Sequence, residues 1–286
     1  MKMFIDGRWT DSSDGAVSSV INPATGVCVD TVPEATEQDV DCAIALAVEG
    51  QKEWNDIPLH EKLSILERYC VLLTENTEKI ASIMCEEGGK PIEQCRTEVA
   101  ANAAIFRIYC AAAYTFYGKS LPYNAEPRSQ GDVAFTIHEP LGVFANIVPF
   151  NYPVELAAHK LAPMLVTGNS VVLMPSSKTP RSALLLVELL VRAGVPAKAV
   201  CCVTGAGSKV GSRAAADPRV AAVSFTGSTR VGINLAETCA KSLRPVSLEL
   251  GGNDALVIFD DCDYALALDE VINGRIGRSE EHTSEL

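Results

Sequence analysis

The sequence predicts an α/β fold built on a doubly wound parallel sheet, preceded by N-terminal helices. From residue 141 onward, short β-prone apolar runs alternate with helical segments of about ten residues, the pattern of parallel strands joined by crossover helices. One of these runs enters a Gly/Ser/Thr turn, Ser224-Phe-Thr-Gly-Ser-Thr-Arg-Val-Gly232, and a helical segment leaves it. This order places backbone N–H groups and a helix N-terminus where they can hold a phosphate. At 286 residues, the chain is long enough for about two domains.

The N-terminal region begins with two turns flanked by β-prone residues. Phe4–Trp9 is predicted to be a hairpin with Asp-Gly as its turn, and Asn22–Gly26 forms the second turn. A capping-box-like signal over Thr36–Asp39 then starts an amphipathic helix. Further helices are predicted over Leu59–Thr74, Glu75–Glu87 and Ile92–Tyr117.

A polar, β-prone segment separates these helices from the alternating region. Ser120–Glu139 is punctuated by Pro and Gly and is predicted to be an arm that pairs with another subunit. The strands expected after it cover Val143–Val148, Ser170–Met174, Val200–Val203 and Ala221–Phe225. The helices between and after them cover Val154–Val166, Ser182–Ala193, a segment from Ser208, and Thr229–Lys241.

Composition excludes several classes of function. The net charge of -12 opposes nucleic-acid binding, which needs clustered Lys and Arg. The N-terminus lacks the apolar core of a signal peptide, and no run of about 18 apolar residues predicts a membrane span. The ten cysteines show no metal-ligand spacing and are interpreted mainly as small buried residues in a reducing cytoplasm. The four histidines are too dispersed to indicate a zinc site, so no metal is expected.

Two glycine-containing turns are candidates for phosphate binding. The turn Thr204–Gly211 resembles a dinucleotide fingerprint, but three residues rather than two separate Gly207 from Gly211, which favours a plain turn lining the cofactor groove. The Phe225–Gly232 turn is the better candidate, because Gly227 and Gly232 permit close backbone approach.

Two polar turns also follow predicted strands, and each has two interpretations. In Pro149-Phe-Asn-Tyr-Pro153, the Asn151 amide either bonds its own backbone or stabilises an oxyanion at the carboxyl end of a strand. In Pro175-Ser-Ser-Lys-Thr-Pro180, Ser176, Ser177 and Lys178 either hold a ribose or a 2'-phosphate or belong to a Ser/Thr-rich loop that caps the next helix. Local sequence leaves both pairs of alternatives open.

The segment Ser247-Leu-Glu-Leu-Gly-Gly252 places a lone carboxylate between a strand and a Gly-Gly pair. With the phosphate-binding turn before it, this order indicates a nucleotide-using enzyme. Glu249 stands between apolar strand residues, where burial would raise the pKa of a carboxylate.

Taken in order, these motifs resemble the aldehyde dehydrogenase superfamily from about Phe4 to Gly277. The resemblance implies a Rossmann-like cofactor domain, oxidation of a small-molecule aldehyde with NAD or NADP, and a cytoplasmic homo-oligomer, dimer or tetramer, without nucleic-acid or membrane partners. It implies that Asn151 lies in the oxyanion hole and that Glu249 is the water-activating base. The residues that it implies at the cofactor are Pro149, Phe150, Ser176, Ser177, Lys178, Gly207, Gly211, Phe225, Gly227, Ser228, Gly232, Leu250 and Gly251.

The same resemblance divides the chain into five parts. Residues 1–119 form the mainly helical N-terminal part of the cofactor domain, 120–140 the oligomerisation arm, and 141–252 the Rossmann-like NAD(P)-binding part. Residues 253–277 start a second α/β domain, which is catalytic, and 278–286 are expected to be a non-native tail.

Two departures from the family pattern carry consequences. The family usually has a ribose-gripping Lys where this chain has Met174, and a ribose-binding Glu, common in NAD-preferring members, where it has Ser177. Without that carboxylate nothing repels a 2'-phosphate, and Lys178 attracts one, so the balance favours NADP or use of both cofactors.

The second departure concerns the nucleophile. The family's catalytic cysteine is expected near position 283, where this chain has Thr283. The residues Arg278–Leu286 resemble the codon-by-codon translation of a sequencing adapter, so we expect a truncated fragment without dehydrogenase turnover. The alternative is a non-catalytic nucleotide-binding or scaffold protein naturally shortened near Gly277.

Overall fold

A computed structural model describes residues 1–252, 255–272 and 274. Its strands are β1 (Met3–Ile5), β2 (Arg8–Thr10), β3 (Val17–Ile21), β4 (Cys28–Pro33), β5 (Ser120–Leu121), β6 (Ala134–Phe135), β7 (Val143–Ile147), β8 (Ser170–Met174), β9 (Val200–Cys202), β10 (Val220–Thr226) and β11 (Val246–Glu249). Its helices are α1 (Glu37–Asp56), α2 (Leu59–Glu75), α3 (Thr77–Gly88), α4 (Ile92–Ala112), α5 (Glu155–Val166), α6 (Pro180–Ala193), α7 (Gly207–Ala216), α8 (Thr229–Ala240) and α9 (Tyr264–Val271).

The central sheet has seven strands in the order β11-β10-β7-β8-β9-β1-β2. The five strands from β11 to β9 are parallel to one another, and helices connect them. After β7 the chain first adds β8 and β9 on one side and then β10 and β11 on the other. The order therefore reverses between β7 and β10, and the predicted doubly wound parallel sheet is confirmed.

The predicted N-terminal hairpin is also confirmed, and it joins the central sheet. Asp6 and Gly7 both have positive φ, 51° and 70°, as a two-residue type I′ turn requires. Phe4 on β1 lies opposite Cys202 on β9, in an antiparallel pair. The hairpin thus extends a parallel sheet with two antiparallel strands, a long-range pairing that local sequence does not encode.

Helices cover both faces of the sheet because its strands carry apolar residues on both sides. On β8, Val171 and Leu173 contact the core beneath the α2–α6 layer, while Val172 and Met174 contact the core shared with α1 and α7. Helix α1 begins with the predicted capping box, in which Thr36 accepts a hydrogen bond from the backbone N–H of Asp39.

Several predicted boundaries need correction. Helix α4 ends at Ala112 rather than Tyr117, and a short 3-10 turn follows it. The arm contains only two-residue strands, β5 and β6, joined by further 3-10 turns. Cys28 and Cys42 are exposed rather than buried. The predicted tail, 278–286, lies outside the described residues.

Candidate functional site

The five parallel strands end at one edge of the sheet, and every predicted site residue lies in or after one of these ends. The Asn151 turn follows β7, the Ser176–Lys178 turn follows β8, and Gly207 begins the helix after β9. The Phe225–Gly232 turn follows β10, and Glu249 ends β11. Since the strand order reverses between β7 and β10, the turns after these two strands border the crevice where doubly wound sheets bind ligands.

The turn after β10 leads directly into the N-terminus of α8. Ser228 is the N-cap residue, and its side chain makes no capping hydrogen bond. The first intrahelical bond runs from the N–H of Gly232 to the carbonyl of Ser228, so the N–H groups of residues 229–231 have no intrahelical acceptor. Ser228 and Thr229 are exposed. An exposed helix N-terminus without a side-chain cap suits a bound anion.

Glu249 is tied to this turn through the backbone. Thr226 on β10 pairs with Glu249 on β11, and the N–H of Gly227 donates to the carbonyl of Glu249 at 3.0 Å. The Glu249 side chain itself is exposed. The burial that the sequence predicted around this carboxylate is therefore absent from the described structure.

Neighbouring side chains leave no room for a Cβ at two glycines of this region. A Cβ on Gly227 would lie 2.5 Å from Cζ of the buried Phe225 ring, and one on Gly232 would lie 2.5 Å from Cδ2 of Leu250. Gly251 comes next, and its nearest neighbour from this turn is Oγ1 of Thr229, 4.0 Å from a built Cβ. Glycine is therefore required here by the packing of Phe225 and Leu250 as well as by the proposed approach of a phosphate. The sequence interpretation did not include this packing.

The two glycines after β9 differ from each other. A Cβ on Gly211 would lie 3.0 Å from Cδ1 of Ile147, so this glycine lets α7 pack closely on β7. A Cβ on Gly207 would meet nothing within 4 Å, because the N-terminus of α7 is open. Gly211 therefore has a packing role, while Gly207 faces open space at the edge that carries the other turns.

A buried lysine that the sequence interpretation missed lies within electrostatic range of Glu249. Lys160 on α5 is almost fully buried, and its Nζ donates to Oγ of Ser224 at 3.0 Å. Burial lowers the pKa of Lys160 to about 8, and the negative charge of Glu249 partly offsets that effect. A single Lys inside the apolar helix Leu156–Val166 was the available signal.

The Asn151 turn shows the self-bonded geometry, which was one of its two predicted interpretations, and the oxyanion role stays a prediction. Oδ1 of Asn151 accepts a hydrogen bond from the backbone N–H of Tyr152 at 3.1 Å, as a self-bonded turn requires. That bond occupies the amide oxygen and leaves the amide nitrogen as a donor. Pro149 and Phe150, which precede it, are half-buried.

Helix α4 holds this turn through a buried carboxylate. Oε1 of Glu98 accepts from the N–H groups of Val154 and Glu155 at 2.8 and 3.0 Å, which caps the start of α5. Oε2 of Glu98 lies 2.6 Å from Nζ of Lys90, and that ammonium lies 3.5 Å from the centre of the Tyr152 ring. The partners of Glu98 are far apart in sequence, so no local pattern signals them.

A second carboxylate has the same function at α6. Glu87, at the end of α3, accepts from the N–H groups of Arg181 and Ser182 at 2.8 and 2.9 Å, and from Oγ of Ser182 at 2.7 Å. Burial raises the pKa of Glu87 to about 7, although these hydrogen bonds act in the opposite direction and lower it. The N-cap residue Thr179 makes no side-chain cap. The sequence alternative in which Ser and Thr of this loop cap the helix is therefore wrong.

The Ser176–Lys178 turn opens into a cavity of about 730 Å³. Oγ of Ser176 accepts from the N–H of Lys178 at 3.3 Å, and Nζ of Lys178 lies 4.2 Å from the centre of the Phe150 ring. Ser177, Lys178 and Phe150 line the cavity together with Glu34 and Glu87. It offers one cation and two carboxylates.

This cavity does not include the Phe225–Gly232 turn. β7 lies between β8 and β10, so the backbones of the two turns are about 10 Å apart at the strand spacing of a sheet. The structure thus joins Phe150 with Lys178, and Gly227 with Glu249, but not the two pairs with each other. A ligand that reaches both turns must be extended.

The cysteines offer no activated thiol at this edge. Cys201 and Cys202 are buried in β9, as predicted, and burial raises the pKa of Cys201 to about 12. None of the ten cysteines lies in the Asn151, Ser176–Lys178 or Phe225–Gly232 turns.

No helix of the described part of the chain is long and apolar enough to cross a membrane.

Comparison with known proteins gives a consistent result. The chain matches the model of the Aldehyde dehydrogenase family over residues 9–283, a match that extends into the predicted tail. It is 37% identical over 273 residues to glutarate-semialdehyde dehydrogenase of Pseudomonas putida, and the match covers 96% of this chain and 55% of that relative. It is 36% identical over 273 residues to the NADP(+) succinate-semialdehyde dehydrogenase GabD of Escherichia coli, over 95% of this chain and 55% of the relative.

A solved structure agrees in fold. The crystal structure of an E. coli NADP dependent enzyme superposes with a TM-score of 0.92 at 35% identity, covering 96% of this chain and 56% of that one. The chain spans about half the length of the curated relatives it matches. With the doubly wound sheet and the ordered turns at its carboxyl edge, these matches show that the chain belongs to the aldehyde dehydrogenase family.

Proposed function

We propose that this chain is the cofactor-binding part of an NAD(P)-dependent aldehyde dehydrogenase that oxidises an aldehyde to a carboxylic acid. The observation that carries the proposal is the hydrogen bond from the N–H of Gly227 to the carbonyl of Glu249. It fixes the backbone of Glu249 beside the turn that leads into the open N-terminus of α8, so a residue that can act as a base and an anion-binding site follow neighbouring strands.

Three residues of the chain have separate roles in the proposed reaction. The amide nitrogen of Asn151 donates to the alkoxide that forms when a thiol attacks the aldehyde carbonyl. Glu249 takes a proton from the water that hydrolyses the resulting thioester. Lys160, whose Nζ donates to Oγ of Ser224, holds a positive charge within electrostatic range of Glu249. A nicotinamide cofactor held at this edge would supply the acceptor for the hydride whose loss converts the alkoxide into the thioester.

We propose that the cofactor lies across the carboxyl edge of the sheet. Gly227 and Ser228, at the N-terminus of α8, would hold its pyrophosphate, and the Ser176–Lys178 turn would hold its ribose end. Ser177 offers a hydroxyl in place of a carboxylate, and Lys178 supplies a cation, so NADP is preferred or used beside NAD. The E. coli relative named for NADP(+) supports this preference.

The cofactor preference is tested by two substitutions in the full-length protein encoded by the native gene. Ser177→Glu places a carboxylate beside the 2'-phosphate and should raise KM for NADP relative to NAD by about tenfold or more. Lys178→Met should act in the same direction. Exposed Lys79→Met is the control for loss of a positive charge, and equal NADP preference in all variants would contradict the assignment.

The names of the relatives indicate which aldehydes to test first. Glutarate and succinate semialdehydes carry a carboxylate at the far end from the aldehyde, and we propose this class as substrate. A simple alkyl aldehyde of equal length is the control. Equal kcat/KM for the two would exclude recognition of the carboxylate.

We further propose a cytoplasmic homo-oligomer assembled through the arm. Val133, Phe135 and Ile137 on the arm are each more than two-thirds exposed, an apolar surface that a second subunit would cover. Sedimentation of the full-length protein with and without Phe135→Asp tests this assignment, and an unchanged mass would contradict it.

The chain by itself is proposed to lack turnover. Burial raises the pKa of five of its cysteines, namely Cys70, Cys110, Cys201, Cys202 and Cys239. These thiols are poor nucleophiles at neutral pH. Incubation of the 286-residue chain with NADP and glutarate semialdehyde should give no NADPH, and its formation would refute the proposal.

The second candidate is a non-catalytic nucleotide-binding or scaffold protein that ends near residue 277. One observation favours this second candidate: the N-terminus of α8 is exposed, and the turn before it carries no thiol. The native gene sequence discriminates: a continuous frame with a cysteine near position 283 supports the enzyme, and a natural stop codon supports the scaffold.

A further inference from the structure

A second cavity lies at the C-terminal end of α5, whereas the Asn151 turn precedes the N-terminal end of this helix. Its volume is about 490 Å³, within the usual range for small-molecule sites. The walls come from α2, the end of α4, the base of the arm and the end of α5. Apolar side chains form most of this wall, among them Leu59, Tyr109, Phe116 and Val166.

One cation faces this apolar wall. Lys62 lines the cavity and is only 6% exposed. Its Nζ donates one hydrogen bond, to the backbone carbonyl of Asn55 at 3.0 Å, and lies 5.8 Å from the centre of the Trp54 ring. An ammonium group has three donors, so two of them have no acceptor among the described residues.

The charge of Lys62 is also uncompensated at short range. Among the described residues, no carboxylate forms an ion pair with it, and Asp56 acts only through longer-range attraction. Two other ammonium groups of the described residues are buried: Lys90 has Glu98 at 2.6 Å, and Lys160 donates to Oγ of Ser224 and feels the charge of Glu249. A buried cation without a counterion is costly, and an anion in the cavity would remove that cost.

The rim provides a flat surface for the rest of a ligand. The rings of Phe116 and His138 stack with their centres 4.1 Å apart and a 22° angle between planes. Both line the cavity, with exposed Glu139 beside them at the mouth. A ligand with its charge at Lys62 would place its apolar body against these rings and keep its single charge away from Glu139.

We propose that this cavity binds a small organic monoanion, a carboxylate carried on an aromatic body, with the carboxylate paired to Lys62. The site is separate from the turns that carry the proposed cofactor and aldehyde chemistry. It shares no lining residue with the cavity at Lys178.

Calorimetric titration of the 286-residue chain with 2-naphthoate and with the neutral 2-naphthalenemethanol tests the proposal. The carboxylate should bind more tightly than the alcohol, and Lys62→Met should weaken carboxylate binding by about tenfold or more while leaving the alcohol unchanged, since a charge-assisted hydrogen bond is lost. Lys52→Met, which removes an exposed Lys from α1, is the matched control and should change neither affinity.

A second pair of variants keeps the test decisive if Lys62→Met folds poorly. Phe116→Ala removes an exposed ring from the rim and should weaken both ligands, whereas Tyr114→Ala removes a ring of similar size that does not line the cavity and should weaken neither. Absence of saturable naphthoate binding, or equal binding to the wild type and both cavity variants, overturns the proposal.

Discussion

Nζ of Lys90 lies 2.6 Å from Oε2 of Glu98, and both side chains are almost fully buried. The other oxygen of Glu98 caps α5, directly after the turn that carries Asn151. The ion pair therefore connects the helical layer to the proposed oxyanion site, and it positions that turn without touching a substrate.

Removal of one partner of this pair should be strongly destabilising. Glu98→Gln leaves Lys90 charged and buried, so the free energy of unfolding should fall by about 3 kcal/mol or more. The double variant Lys90→Met/Glu98→Gln should lose less than the sum of the two single variants. Urea unfolding measures all three.

The exposed pair formed by Arg107 and Glu67 is the control for this cycle. Glu67→Gln should cost less than about 1 kcal/mol, because both partners are solvated. A loss of similar size for Glu98→Gln would contradict the role given to the buried pair.

Glu87 should make stability depend on pH. Its pKa is raised from 4.5 to about 7 in the folded chain, so between these values the folded state binds more protons than the unfolded state. The free energy of unfolding should therefore decrease as pH rises through this window, by about 3 kcal/mol, and level off above about pH 7.

Glu87→Gln cannot titrate and should flatten that slope. Urea unfolding of both proteins from about pH 5 to about pH 8 gives the comparison. Parallel pH profiles for the two proteins would show that Glu87 titrates outside this range.

Lys160 should lose its proton more readily than an ordinary lysine. Burial lowers its pKa to about 8, so the unfolded state binds more protons between that value and 10.5, and stability should rise with pH in this window. NMR titration of the dimethylated lysines should show one resonance that titrates near pH 8, and Lys160→Met should remove it. Persistence of that resonance in the variant would assign it to another amine.

Two glycines at helix starts should respond differently to a methyl group. Gly232→Ala places a Cβ against Leu250 and should cost about 1–3 kcal/mol in unfolding free energy, with partial recovery in Gly232→Ala/Leu250→Ala. Gly207→Ala meets open space and should be close to neutral. Equal losses at both positions in urea unfolding would contradict the packing assigned to Gly232.

Much of the fold could be predicted because it follows from local chemistry. Alternating apolar runs and helical segments predicted the parallel strands, Asp6-Gly7 predicted the hairpin turn, and Thr36 predicted a helix start. The Phe225–Gly232 turn and Glu249 were likewise recognised in order along the chain. Each of these signals lies within a few residues of the element that it predicts.

Other predictions failed where burial or distant residues decide the outcome. Glu249 was expected to be buried between apolar strand residues, yet β11 is the edge strand and leaves that side chain exposed. The Ser176–Thr179 loop was one candidate to cap α6, but Glu87 caps that helix. Lys160 was not noticed, because nothing near it in sequence shows that it reaches Ser224.

The sequence by itself determined the order of strands, turns and helices along the chain. It thereby also determined which turns follow the strands and carry the polar and glycine residues of the site. Only the tertiary structure decided which buried charges hold those turns. Glu87 reaches Ser182 across 95 residues of sequence, Lys160 reaches Ser224 across 64, and Glu98 reaches Val154 across 56. Periodicity and capping act over a few residues, whereas the pairing of a buried charge depends on what packing brings beside it.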